Sequence, residues 1–245
     1  MEHAVGRPLV IALGGASAEA PEHTIAAFEA ALTEGADALA LCVQLSRDGH
    51  PVVFGPPTLE RTTDGRGSVS EHTVRELKRL DAGGWKGPRF AGQRIQTLQE
   101  VLERFRGRTR FWIELPGGVD AGRGVEERAV STLEIYESVE LCLVQSADRA
   151  ALARVRALNS TVPLGVIWKA GPLASALPVA GLAESLCAVA ALLGGAQVEQ
   201  IRGAGLGCYA WTVNEPALMD RLVGWHVDGI LTDRPGFVRA RVGRS

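Results

Sequence analysis

A chain of 245 residues, 46% hydrophobic and 22% charged, can bury one large core, so a single domain over residues 1–245 is the expectation. Its formal net charge of −2 supplies no basic face or stripe and argues against nucleic acid or an anionic membrane as partner. The start, Met1 to Pro8, lacks the basic flank and apolar stretch of a secretory signal, and no run reaches the ~18 apolar residues of a membrane span, which together predict a cytoplasmic protein without a membrane span.

The first strand is predicted near 8–13, followed by a helix over 22–34 and a second strand near 37–43. The stretch from about 44 to 96 then breaks the rhythm. Arg47-Asp48-Gly49-His50 is a hairpin signal, and a segment rich in Gly, Arg and Thr leads to a short helix from Thr73 to Leu80, so the stretch reads as an insertion after the second strand. Alternation resumes with a helix over 97–106, a strand near 110–115, a helix over 123–136, a strand near 139–145 and a helix over 147–158. The last third adds strands near 162–168, 186–190, 207–213 and 227–232, with helices at 174–183, 195–204, 215–224 and near 236–242. Candidate N-caps are Thr97 with Glu100 three positions on, Ser146 before Ala147, and Asn214 before Glu215-Pro216. Eight apolar strands linked by amphipathic helices predict an α/β fold, a closed (β/α)8 TIM barrel with its chemistry at the carboxyl ends of the strands. Cys42, Cys142, Cys187 and Cys208 fall inside predicted strands without CxxC or CxxH spacing, and read as buried thiols rather than zinc ligands or a disulfide framework.

Several motifs carry a resemblance. They are Val10 to Ser17, Pro21-Glu22-His23-Thr24, Ala38 to Leu45, Asp48 to Pro56, Leu59-Glu60-Arg61-Thr62-Thr63, Ala210 to Asn214 and Val227 to Pro235. Together they resemble the glycerophosphodiester phosphodiesterase family over nearly the whole chain. The resemblance implies a barrel whose insertion caps the catalytic end, and a setting in lipid metabolism. It also implies a hard cation such as Mg2+ or Ca2+ on three carboxylates, with a histidine pair moving protons. The metal-ligand positions fall on Ala40, Cys42 and Glu114, and the histidine positions on Leu13 and Gly55. The adjoining arginine becomes Gly14, the lysine two positions after the third ligand becomes Pro116, and the asparagine of Pro-Glu-Asn-Thr becomes His23. One carboxylate and a thiol should not hold a hard cation, so no cofactor is expected.

These changes predict a phosphodiesterase-like protein without family-type activity, a pseudoenzyme acting through a small molecule bound at the barrel mouth or through its surface, with an oligomer left open. The alternative is a residual or altered phosphodiester hydrolase relying on Glu114. His50 lies five positions before Gly55, about 16 Å along a strand, and is a poor substitute for the missing histidine. A sharper idea makes Cys42 a nucleophile with His23 as base, but a thiol in an apolar strand with no positive neighbour in sequence is usually inert. Strand alternation aims Ala40, Cys42 and Glu114 inward above Trp112. A lone Glu114 there should have a raised pKa or recruit a cation, with Lys169 nearest by position. Trp168 and Trp211 end strands at the same mouth and are candidate pocket walls. Arg61 either binds an anion or locks the insertion to the barrel. Asp233 and Thr232 read as turn and cap residues.

Overall fold

The computed structural model describes residues 6–117, 124–177 and 181–243. In chain order the first half comprises β1 (Leu9–Leu13), α1 (Ile25–Thr33), β2 (Ala38–Leu45), β3 (Pro51–Val53), α2 (Val74–Leu77), β4 (Gln96–Thr97), α3 (Leu98–Phe105), β5 (Arg110–Glu114) and α4 (Val125–Ile135). Then come β6 (Cys142–Ser146), α5 (Arg149–Leu158), β7 (Leu164–Trp168), α6 (Leu173–Ala176), β8 (Ser185–Val189), α7 (Gly195–Gly203), β9 (Gly207–Trp211), α8 (Pro216–Gly224), β10 (Gly229–Thr232) and α9 (Pro235–Val242).

Eight parallel strands run in the order β1-β10-β9-β8-β7-β6-β5-β2, and pairing of β1 with β2 closes the barrel. The closure is a consequence of composition: these strands are apolar on both faces, and a parallel sheet must be covered on both. One face fills the barrel interior with Ile11, Ala38, Trp112, Ile167, Tyr209 and Leu231. The other face, including Val10, Leu39, Phe111, Val144 and Leu186, packs under the helices. Trp112 and Tyr209 meet edge to face, 5.5 Å between centroids. Gly229 makes room for that pair, since a Cβ there would come within 2.5 Å of the tyrosine ring.

All eight predicted strands form. The hairpin forms too, with Gly49 at φ +78° and β3 antiparallel to β2. From β3 onward the insertion has its own apolar cluster, which includes Val52, Phe54, Leu59, Val69, Leu77 and Ile95. Gln44 of β2 anchors it by donating to the carbonyls of Phe54 and Pro56, each at 2.9 Å.

Four helix readings need correction. Helix α1 starts at Ile25 rather than 22, because Pro21 to His23 turns the chain and Thr24 caps it, accepting from Ala27 N. Helix α5 is capped by Asp148 and not Ser146, whose hydroxyl is drawn away to Leu115 O. Asn214 is likewise diverted from α8, holding Thr232 and Asp233 instead. The helix predicted over 174–183 is the single turn α6, and residues 178–180 of that prediction lie outside the described residues. Among the described residues no helix is long and apolar enough to cross a membrane.

Candidate functional site

The carboxyl ends of the strands open into a cavity of about 570 Å3. Leu13 from β1, Ala40 and Cys42 from β2, Glu114 from β5 and Trp211 from β9 all face it, as do Gly55, Arg61 and His23 from the loops. These positions, singled out in the sequence from Leu13 to Trp211, therefore converge on one cavity.

One side of the mouth is built from β5, β7 and β9. Cys42 and Glu114 are register partners across β2 and β5, which sets the thiol and the carboxylate at one level. Ile167 faces the interior, and the residue two positions on, Lys169, projects the same way. Lys169 Nζ stands 3.8 Å from Glu114 Oε1 and 5.8 Å from the centroid of the Trp211 ring, with 53% of its side chain exposed against 31% for Glu114. Burial raises the pKa of Glu114, and the Lys169 ammonium offsets part of that rise. The Lys169 ammonium is the kind of cation that a lone carboxylate over an apolar layer recruits.

The opposite side comes from the loops after β1 and β10. Arg61 pairs with Glu22 at 2.5 Å, so it both lines the cavity and ties the insertion to the β1–α1 loop. Burial raises the pKa of Glu22, against the lowering effect of Arg61. Asp233 accepts from Ser17 Oγ at 2.9 Å and from Asn214 Nδ2 at 2.7 Å, and faces the cavity, so it is more than a turn residue.

His23 sits between these groups with its backbone at φ 59°. Its amide donates to Gly14 O at 2.8 Å. The ring is lodged where two glycines leave space: a Cβ on Gly55 would lie 2.7 Å from its Nε2, and one on Gly14 would lie 3.5 Å from the same atom. Burial, then the nearby Arg61 charge, lower its pKa to about 4, so the imidazole is neutral at pH 7.

One sequence reading fails here, and the Cys42 nucleophile, already disfavoured in sequence, finds no support. Trp168 does not line this cavity. It lies one residue out of phase with Ile167, so strand alternation turns it outward among the helices, where its Nε1 donates to Ala170 O. The Cys42–His23 dyad lacks its activated thiol: burial, and next the Glu114 charge, push the Cys42 pKa up, opposite to what a nucleophile needs. No hydrogen bond joins the two side chains among the described residues. All four cysteines are free thiols.

The mouth also holds polar atoms without partners. His23 Nδ1, Gln145 Oε1 and Trp211 Nε1 are buried and unbonded within the protein, and all three side chains border the cavity. Gln145 is the register partner of Glu114 and could have been found by strand parity. Glu22 is adjacent to His23 in the Pro21–Thr24 motif, which was the signal for it. No three His, Cys, Asp or Glu side chains gather to hold a metal ion among the described residues. At the level of Ala40 and Cys42, a single carboxylate with an ammonium 3.8 Å away does not fit Mg2+ or Ca2+, which take several oxygens and are repelled by a fixed cation.

Comparison with known proteins is consistent over the full barrel. The profile of the Glycerophosphoryl diester phosphodiesterase family matches residues 15–237. A glycerophosphodiester phosphodiesterase of Caldanaerobacter subterraneus is 37% identical over 234 residues, covering 94% of this chain and 95% of that protein. A glycerophosphodiester phosphodiesterase of Bacillus subtilis is 33% identical over 248 residues, covering 94% and 84%. Among solved structures, an Oleispira antarctica phosphodiesterase in complex with the product sn-glycerol-3-phosphate superposes with a TM-score of 0.89 at 31% identity, covering 96% of each chain.

Proposed function

This chain belongs to the glycerophosphoryl diester phosphodiesterase family, and we propose that it is a member without phosphodiesterase activity that binds a small polar ligand at its barrel mouth. One observation carries the reading. Where the resemblance expects three carboxylates around a cation, Glu114 stands beside Ala40 and Cys42 with the Lys169 ammonium 3.8 Å away. The histidine positions are Leu13 and Gly55. A lost acid or base typically costs ~10²–10⁴ in rate and a lost electrostatic stabiliser ~10²–10³, and although such losses do not multiply, several together leave little.

Ligand binding is supported over a purely surface role because the mouth is open. A cavity of about 570 Å3 is in the usual range for small-molecule sites. The orphaned atoms of Trp211, Gln145 and His23 call for a polar partner, since buried polar groups are costly to leave unpaired. The complex of the Oleispira relative with sn-glycerol-3-phosphate supports a phosphate ester as that partner.

The test is release of glycerol 3-phosphate from glycerophosphodiesters by the purified chain, with Mg2+, with Ca2+ and with chelator, beside a Glu114→Ala control. No release under any condition is expected. Metal-dependent turnover that disappears in Glu114→Ala would overturn the proposal in favour of a residual or altered hydrolase. That rival draws on the raised pKa of Glu114, the shift a general acid requires.

A further inference from the structure

We infer that Lys169 does the electrostatic work of the missing divalent cation, so that the mouth holds a phosphate ester with no metal. The inference rests on the ligand-binding reading above and goes beyond it by naming the group that recognises the anion and the way the ligand lies.

The Lys169 ammonium is anchored without being saturated. Its 3.8 Å separation from Glu114 Oε1 is longer than the ~2.7–3.2 Å of a hydrogen bond, and the Lys169 ammonium makes no hydrogen bond among the described residues. All three of its N–H donors are therefore available to a ligand. The Trp211 ring, 5.8 Å from Nζ, holds the cation over the cavity by its quadrupole. The same tryptophan contributes a second donor, because its buried Nε1 has no partner. An unsaturated ammonium and an unpartnered indole N–H, on two side chains that both border the cavity, match an acceptor-rich dianion.

The other wall is richer in carboxylates, one of them paired with Arg61. In the strand order β1 lies diametrically across from β7, so the groups after β1 and β10 face Lys169 across the cavity. There Glu22, paired with Arg61, and Asp233, which accepts from Ser17 and Asn214, present carboxylates, and His23 presents a neutral ring. Carboxylates repel a phosphate and accept from hydroxyls. The ligand's phosphate thus points to Lys169 and Trp211, and its hydroxyl-bearing end to Glu22 and Asp233.

This arrangement gives Glu114 a sign opposite to the one it would have in a metal site. A carboxylate that ligates a cation strengthens anion binding through that cation. Here Glu114 competes with the ligand for the ammonium, so its charge weakens binding.

The experiment is isothermal titration of the full chain with sn-glycerol 3-phosphate, in EDTA and then in Mg2+ or Ca2+, with glycerol and inorganic phosphate as comparison probes. Affinity should be the same in chelator and in metal, inorganic phosphate should bind, and glycerol should not. Lys169→Met, which keeps the length of the side chain without its charge, should weaken binding about tenfold or more. Lys169→Arg should recover part of the loss, and Glu114→Gln should bind severalfold tighter than the unaltered chain. Thermal unfolding of each variant separates a lost contact from a lost fold, since Lys169 is half exposed and its replacement should leave the midpoint in place. Binding that vanishes in EDTA and returns with Mg2+, or that falls in Glu114→Gln, would overturn the inference, as would unchanged affinity in Lys169→Met or no binding by the unaltered chain. Turnover of a glycerophosphodiester would instead overturn the inactive reading, and metal-independent binding through Lys169 would survive it.

Discussion

Gly55→His would return a side chain to a position where the resemblance expects one, into space already taken. A Cβ on Gly55 would lie 2.7 Å from His23 Nε2 and 2.9 Å from His23 Cδ2, distances at which one group must move. The His23 ring is poorly placed to yield, because the residue is only 9% exposed and its amide is tied to Gly14 O at 2.8 Å. Overpacking of this kind costs about 1–3 kcal/mol. For a chain of this size that corresponds to a fall in Tm of roughly 2–12 °C. His23→Asn removes the ring while suiting the backbone, since asparagine tolerates the left-handed conformation that His23 adopts at φ 59°. In that background Gly55→His should cost little, so the four-protein cycle of unaltered chain, two single variants and double variant should show a coupling of about 0.5–3 kcal/mol. Thermal or urea unfolding of the four proteins measures it. Single-variant effects that add within about 0.5 kcal/mol would refute the reasoning, because independent sites add to that precision.

The same histidine governs acid sensitivity. A pKa lowered from 6.5 to about 4 means that the unfolded chain binds its proton first, so the stability His23 contributes is present above pH 6.5 and is lost as pH falls toward 4. At about 1.4 kcal/mol per pH unit the loss is about 3 kcal/mol, and urea unfolding at neutral pH and near pH 4.5 should show His23→Asn escaping most of it; equal losses in both proteins would contradict the assignment. Gly15→Ala tests the packing of the first turn: its Cβ would meet the backbone carbon of Ala27 at 2.5 Å with φ at +90°. Because backbone cannot swing aside as a side chain can, the cost should be about 3 kcal/mol or more by thermal unfolding, and an unchanged midpoint would disprove the close approach.

Much of the barrel is legible in one dimension because its cause is local. Buried parallel strands are written as near-continuous apolar runs, so β1, β5 and β9 begin within a residue or two of where the pattern places them. The hairpin follows from Gly49, and α3 from the reciprocal capping of Thr97 and Glu100, both short-range devices. Glu114 and Lys169 could be paired by counting to strand ends. Other features depend on groups remote in sequence. Ser146 and Asn214 are as apt for capping as Thr97, yet each has a tertiary acceptor or donor that competes for it, and no local signal records the competition. Trp168 is at a strand end like Trp211, and the phase of the strand against the barrel axis sends the two rings to opposite faces. The seat of His23 depends on Gly14 and Gly55, one from the first strand's turn and one from the insertion, which leave a single volume between them only when the barrel closes. Residue types and their periods determine which elements form. The position and protonation of each side chain at the mouth depend on the volume and charge its distant neighbours leave it, and those exist only in the folded chain.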